Sequence, residues 1–498
     1  MAPFEGRMKQ FLLFLILLSN FNSCYNTATA WKSTEVSPTI MLLGEFDWKP
    51  YIKNGATSRC TTMVDRAVKY GSSMLNFVPT HYYREAAAGG VLSYCYMDSS
   101  YSSCIPFTQD SIRSFQSGFS SCLRHAAAAG IQSVSVIPHV DSASTGGTWT
   151  IKSWRNGIVF GPSIRYGGLS YEDIMLQPLA VALGSSLPLS TDIYFSMQGE
   201  MGATVFRYPK DYSALVVRMR DLVSSTQLRQ QQQQLKASTK LVSSASGQAR
   251  GNIFMGATFN FIFIDGNQSP DDQAAHNNEY GLLGTLFGPL VTFFLGPEYG
   301  FRQAPQGTPS FDKRAVQNFF SSLDFIGVSA YSPLPVDFSN NDLQDSAFSF
   351  LKEAKVAVGT DVAALMEQNG IELQYVEYGL GGGVVDTGDQ PATSPIQIAS
   401  RPYWGVFGPY EKSKDPWQQS DLRSYMESFW RKSLAWLSQG GGQTYHISAC
   451  YMWNLASWDV LAIYPESTSK EGSYLDNNVA AAVIQHNNMA NIQNNLGG

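Results

Sequence analysis

Short apolar segments recur along the 498-residue chain, and many are followed by segments in which apolar residues keep a helical spacing. Amphipathic helices of this kind are predicted at residues 111–130, 208–223 and 421–440. The apolar segments predict eight β-strands, at residues 39–46, 73–80, 133–139, 193–200, 253–259, 324–331, 372–379 and 447–454. Strands that alternate with helices favour a parallel sheet.

Eight strand–helix units over about 450 residues fit a single catalytic domain, a (β/α)8 TIM barrel with enlarged βα loops. The alternative is a doubly wound open sheet, but no Gly-rich phosphate loop follows the first predicted strand. The barrel domain is predicted to cover residues 31–498, with insertions at about 224–250, 261–323 and 380–420. The first insertion contains a run of glutamines and predicts a loop or an extended helix end. The second is apolar but broken by Gly and Pro, which favours a packed helical insertion.

The N-terminus predicts a signal peptide over residues 1–30. Basic residues precede the apolar run 11–18, and Ala28-Thr29-Ala30 follows as an A-x-A cleavage site. The run is too short to span a membrane. We therefore expect a secreted protein, extracellular or in the cell wall, that begins near Trp31 and has no membrane span.

Five cysteines remain after the predicted signal peptide, and an oxidising compartment favours disulfides among them. Cys95 and Cys104 bracket a short loop and are expected to pair. The odd number leaves at least one free thiol, and Cys450 lies in an apolar run that suits a buried one. A catalytic cysteine is disfavoured because no Cys/His signature surrounds any of them.

Composition narrows the class of partner. The net charge is −6, which does not attract nucleic acid or an anionic membrane. Aromatic residues make up 13% of the chain, and Trp and Tyr faces suit stacking on sugar rings. The six histidines are scattered without metal-binding spacing, so neither a metal nor a cofactor is expected. We expect a monomer that binds an oligo- or polysaccharide.

Two glutamates end predicted strands in equivalent places. Glu200, within "MQGEMG", ends the fourth strand, and Glu377, within "VEYG", ends the seventh. Chemistry in a (β/α)8 barrel sits at the C-terminal ends of its strands, so both side chains are predicted to face one cleft. Two carboxylates about 5–5.5 Å apart suit a retaining glycosidase. Glu45 and Asp47 follow the first predicted strand and are spare carboxylates, with a possible binding role.

The chain resembles a clan A glycoside hydrolase and is most similar to glycoside hydrolase family 113, whose known members are β-mannanases. The matching segments are "VPTHYY" at 78–83, "IPHVD" at 137–141, "SWRNGIVF" at 153–160, "MQGEMG" at 197–202, "FIGVSAYSP" at 325–333, "VEYG" at 376–379 and "YMWN" at 451–454. They span most of the chain after residue 30, in the order of the strand ends.

This resemblance implies a role for each matched position. Glu200 is implied as the general acid/base and Glu377 as the nucleophile. Tyr331 is implied to hydrogen-bond the nucleophile, and Trp453 to form the aromatic floor at the cleaved bond. His139 and Arg155 match a polar group on the third strand that lines the glycone side. From their own positions near the ends of predicted strands, Asp141, Glu45 and Trp458 are also expected to bind substrate.

One position departs from the clan pattern. Many members carry Asn directly before the acid/base, where it hydrogen-bonds the sugar 2-hydroxyl, but this chain has Gly199 there. The departure favours one alternative to an enzyme, a non-catalytic carbohydrate-binding protein on the same barrel. A transglycosylase is a further alternative. In the hydrolase, Glu200 is expected to have the raised pKa and Glu377 to stay ionised.

Overall fold

A computed structural model describes most of the chain. The described residues are 31–49, 57–87, 90–100, 102–143, 155–237, 251–266, 311–382, 391–400, 402, 412–442, 444–454, 459–465, 468–469 and 472–496. The predicted signal peptide, most of the 261–323 insertion and Trp458 therefore lie outside them.

Eight parallel strands form a closed barrel. They are β1 (Val36–Leu42), β2 (Met74–Glu85), β5 (Ser133–Val136), β7 (Asp192–Gly199), β8 (Ile253–Asn260), β9 (Phe325–Ala330), β10 (Glu372–Tyr378) and β11 (Ile447–Met452). Each strand pairs in parallel with the next, and β11 pairs with β1, which closes the sheet. The predicted (β/α)8 barrel is confirmed, and the open sheet is excluded.

Burial explains why the barrel strands are short apolar runs. Every residue of β1 and of β9 is buried, as expected where one strand face lines the barrel and the other meets helices. Phe77 of β2, for example, packs edge-on against Phe119 of the following long helix, with ring centroids 5.6 Å apart. The predicted strands match the observed ones to within a few residues at most ends.

The helices vary from about one to about eight turns. The α-helices are Glu45–Trp48, Arg59–Ala67, Gln109–Ala128, Gln177–Ser186, Gly202–Arg207, Pro209–Ala237, Lys313–Ser321, Asp345–Ala357, Val362–Asn369, Pro395–Ser400, Ser420–Leu437 and Asn477–Leu496. Shorter helical segments are Val68–Tyr70, Arg155–Gly157, Asp342–Gln344, Lys412–Lys414 and Pro416–Gln418, with a π-helical turn at Glu172–Leu176. The glutamine run belongs to the helix Pro209–Ala237. Of the two alternatives predicted for the first insertion, a loop or an extended helix end, the helix end is therefore correct up to Ala237.

A small sheet that the sequence did not reveal extends the barrel beside the second strand. It contains β3 (Val91–Met97), β4 (Cys104–Pro106) and β6 (His139–Ser142). The outer part of β2 pairs with β3 on one side and with β6 on the other. Because alternate residues of a strand share a face, β6 presents His139 and Asp141 together. A separate antiparallel ribbon is formed by two strands of two residues each, β12 (Thr468–Ser469) and β13 (Gly472–Ser473).

Two disulfides cross-link the early part of the chain. Cys95–Cys104 ties β3 to β4, which confirms the predicted pair. The second disulfide, Cys60–Cys122, joins two helices that are far apart in sequence. Cys450 is a buried free thiol, also as predicted. Within the described part of the chain, the search for a helix of membrane-spanning length and apolarity gave none.

Candidate active site

Glu200 emerges from the fourth barrel strand in an unusual backbone conformation. Its φ is 58°, the left-handed region that non-glycine residues rarely adopt. Its amide donates to the Thr258 carbonyl at 3.0 Å, which keeps it on the sheet. Gln198 braces the same turn, since its amide nitrogen donates to the Thr258 carbonyl and its oxygen accepts from the Met201 amide. Strain that is held by surrounding bonds is typical of functional sites.

The two glycines around Glu200 make room for the protein itself rather than for a substrate. A Cβ on Gly199 would lie 2.2 Å from Cδ2 of His139, and one on Gly202 would lie 1.7 Å from the Ile264 carbonyl oxygen. No side chain fits at either position. The missing asparagine before Glu200 is thus explained, because the His139 ring occupies its place.

Glu377 ends the seventh barrel strand directly after a register shift against β9. A similar shift occurs in β7 before Gly199. An extra residue at such a bulge changes the face to which the next side chains point, and bulges often re-aim side chains beside active sites. The phenol of Tyr331 donates to Oε2 of Glu377 at 3.2 Å. The other carboxylate oxygen, Oε1, is buried and has no hydrogen-bond partner.

Arg155 joins the two glutamates. Its Nε donates to Oδ1 of Asp141 at 2.8 Å, and its Nη1 donates to Oε2 of Glu200 at 3.0 Å. The same Nη1 lies 4.0 Å from Oε1 of Glu377. Those two glutamate oxygens are therefore no more than about 7 Å apart, which is compatible with the spacing of about 5–5.5 Å in retaining glycosidases and short of most of the inverting range. Both glutamate side chains are 5% exposed.

His139 packs among these charged groups as a neutral imidazole. Burial lowers its pKa well below the usual value, and the Arg155 guanidinium lowers it further. Nη1 of Arg155 lies 2.5 Å from Nδ1 of His139. The same Nη1 lies 3.2 Å from Nε2. Because arginine only donates, the shorter contact makes Nδ1 the acceptor and places the ring proton on Nε2. This Nε2 lies 3.6 Å from the unpartnered Oε1 of Glu377.

The protonation order differs from the one expected. Burial, and next the Glu200 carboxylate, raise the pKa of Glu377 well above its usual range, although Arg155 and Tyr331 act in the opposite direction. Burial also raises the pKa of Asp141 to about 6. For Glu377, this direction runs against the expectation that it stays ionised. The main cause is burial, to which the nearby Glu200 charge adds, and Arg155, 4.0 Å away, offsets them only in part.

Trp453 follows the eighth barrel strand and borders the same cluster. Its ring lies nearly parallel to that of His139, with centroids 6.5 Å apart. The backbone amide of Trp453 donates to the Tyr378 carbonyl, which fixes the end of β11 to the end of β10. Its indole Nε1 is buried without a hydrogen-bond partner. A donor left unpaired in this position suits a ligand that accepts hydrogen bonds.

The spare acids after the first strand have other partners. Strand β1 ends at Leu42, and a short helix places Glu45 next to Lys49 and Ser99. Asp47 accepts from the Leu43 amide at 2.7 Å and pairs with Arg59 at 3.1 Å. Asp47 thus closes the turn after the first strand. Neither contact of Glu45 reaches the glutamate pair, so its binding role stays a prediction.

Of the predicted site residues, the structure brings seven together, and Glu45 stands apart. The seven are Glu200, Glu377, Arg155, His139, Asp141, Tyr331 and Trp453. Gln198 is the contributor that the sequence did not single out, and the polar pair before Glu200 was its only signal. Trp458 lies outside the described residues.

Comparison with known proteins gives structural likeness only. No protein-family model matches the chain, and no curated protein matches it. An endo-1,4-β-mannanase from Rhizomucor miehei has a similar structure, with 11% identity, 93% of this chain and 95% of that chain covered, and a TM-score of 0.38. A glycoside hydrolase family 5 mannosidase from the same organism gives 8% identity, 93% and 94% coverage, and a TM-score of 0.35. Values this low establish no activity or substrate for this chain.

Proposed function

We propose that the protein is a secreted retaining β-glycoside hydrolase of the family 113 type that acts on a polysaccharide, with β-mannan as a candidate. One observation carries the proposal. Two buried glutamates at the ends of the fourth and seventh barrel strands meet on a single guanidinium nitrogen, at 3.0 Å and 4.0 Å. The short separation this implies suits double displacement, in which no water has to fit between sugar and nucleophile in the first step.

Glu377 is the proposed nucleophile. Its carboxylate attacks the anomeric carbon as Glu200 gives its proton to the leaving oxygen, so the glycosidic bond breaks as the glycosyl-enzyme ester forms. Glu200 then takes a proton from water, and the resulting hydroxide oxygen displaces Glu377 from the anomeric carbon. Tyr331 supports this role because its phenol donates to the Glu377 carboxylate and stabilises the ionised form.

The free protein has to change its protonation order before this reaction. Positive charge that develops at the anomeric carbon favours an ionised Glu377. Nη1 of Arg155 already lies between the two carboxylates, and a shift of about 1 Å would exchange its 3.0 Å and 4.0 Å contacts. Arg155 would then stabilise the ionised Glu377 and release Glu200 to hold the proton. We therefore assign Arg155 a role in setting which glutamate is the acid.

The Arg155–Glu200 ion pair also favours a second candidate, a carbohydrate-binding protein without catalysis. A salt bridge opposes protonation of the proposed acid, and a protein that never releases it would bind sugar and not cleave it. A transglycosylase would use the same glycosyl-enzyme, with a sugar as acceptor in place of water.

The test is incubation of the purified protein with β-mannan, β-glucan, β-galactan and β-xylan. New reducing ends are measured for the wild type and for Glu200→Gln and Glu377→Gln. Release by the wild type alone is the expected result and names the sugar. Binding of one polymer without release would favour the carbohydrate-binding protein. Products longer than the substrate, formed with an added oligosaccharide acceptor, would indicate transglycosylation.

A further inference from the structure

His139 lies where a sugar hydroxyl next to the reacting carbon has to be received. Its Nε2 edge covers Gly199, the residue before the proposed acid, and faces the unpartnered Oε1 of Glu377. We propose that Nε2–H of His139 holds the hydroxyl on carbon 2 of the sugar, and that the site therefore selects glycosides with a free 2-hydroxyl. This inference rests on the proposed hydrolase activity and adds a specificity determinant to it.

The distance between the two groups fits a bridging hydroxyl. Nε2 and Oε1 are 3.6 Å apart, too far for a good direct hydrogen bond. A hydroxyl both donates and accepts, so one placed between them accepts from Nε2–H and donates to Oε1. Without it, the buried Oε1 stays unpaired. In a retaining glycosidase, the nucleophile lies beside carbon 2, and bonds to the 2-hydroxyl strengthen in the transition state.

The direction of the His139 donor is fixed by Arg155. The guanidinium donates to Nδ1 at 2.5 Å, which leaves the proton on Nε2, and Asp141 holds the guanidinium from its other side. His139 is 1% exposed, so water does not compete for the ring. Gly199 contributes no side chain. Among the described residues that face Oε1, His139 is thus the one nearest to it with a free hydrogen to donate.

The test compares 2,4-dinitrophenyl β-mannoside, the β-glucoside, and the 2-deoxy glycoside that both share. This leaving group needs neither sugar subsites beyond the cleaved bond nor an acid. We expect His139→Ala to lower the ratio of kcat/KM for the 2-hydroxy over the 2-deoxy substrate by about 10-fold or more. His139→Gln, which keeps an amide donor, should retain part of the ratio.

Tyr331→Phe is the matched control. It removes a donor to Oε2, the other oxygen of Glu377, without touching His139. It should therefore slow both substrates alike and leave their ratio unchanged. An unchanged ratio in an active His139→Ala protein would overturn the inference while leaving the hydrolase proposal intact. Absence of turnover by the wild type, on these glycosides and on polymers, would instead remove the proposed function. If His139→Ala is folded but too slow, the ratio of binding constants for the free 2-hydroxy and 2-deoxy sugars, measured by calorimetry, decides in the same way.

Discussion

Replacing each glutamate of the pair by glutamine should change stability in opposite directions. Glu200 is ion-paired with Arg155 at 3.0 Å in a buried setting. Breaking a buried pair typically costs 3–5 kcal/mol. Arg155 keeps Asp141 at 2.8 Å, so we expect Glu200→Gln to cost about 3 kcal/mol, the lower end of that range. With an unfolding entropy of about 2.1 cal/mol/K per residue, this corresponds to a Tm lower by about 3 °C.

Glu377→Gln should instead raise the Tm at pH 8. The pKa of Glu377 is raised by burial and by Glu200, so the folded state holds this proton more tightly than the unfolded chain does. Stability from that proton is complete below the unfolded pKa and is lost as pH rises through the folded one. Each unit of the pKa shift is worth about 1.4 kcal/mol. Glutamine removes the buried charge and still offers Tyr331 an acceptor, so the gain should be present at pH 8 and small at pH 4.

Thermal unfolding of both variants at pH 8 and pH 4 provides the assay, with Glu172→Gln as a control distant from the pair. Burial acts to raise the pKa of Glu172, but hydrogen bonds from Arg218 and Ser163 outweigh burial and lower this pKa. Its stabilising effect is therefore present at pH 8 and lost in acid, the reverse of Glu377. A Glu377→Gln protein that melts below the wild type at pH 8 would refute the assigned protonation order.

Three further predictions concern the rest of the structure. Tyr331→Phe removes a donor to Glu377 and should shift the acid limb of the pH profile of kcat/KM to higher pH; an unmoved limb would contradict the contact. Burial lowers the pKa of His81 to about 3, so stability should fall as pH drops from about 6.5 towards 3, and NMR titration of the ring should show no protonation at pH 5. Loss of the Cys60–Cys122 disulfide, with 62 residues of separation, should destabilise by about 1.7 kcal/mol more than loss of Cys95–Cys104, with 9; equal losses in paired Cys→Ala variants would argue against the loop-entropy account.

The barrel was predictable because its strands are buried on both faces and therefore appear as apolar runs. The same logic located Glu200 and Glu377, since each follows such a run directly. The reason for Gly199 was not predictable, because the His139 ring that excludes a side chain comes from β6, 60 residues earlier in sequence. Short polar strands such as β6 carry no strong periodic signal and were missed.

The electrostatic properties of the site could also not be predicted from the sequence, because they depend on distances in the folded chain. Sequence position made Glu200 and Glu377 equivalent strand-end acids, but the raised pKa of Glu377 comes from its burial and from the Glu200 charge beside it, with Arg155 acting in the opposite direction. The same limitation applies to Asp47. Its place after the first strand resembled that of a site residue, whereas its contacts with Arg59 and the Leu43 amide close a turn.

The configuration of the first product tests the central claim most directly. Proton NMR of the anomeric region, recorded during the first minutes of β-glycan cleavage, separates the two anomers before they equilibrate. Double displacement by Glu377 and Glu200 predicts that the β-anomer appears first and the α-anomer follows by mutarotation. Initial release of the α-anomer would contradict the account, because it would indicate a single displacement by water and no glycosyl-enzyme on Glu377.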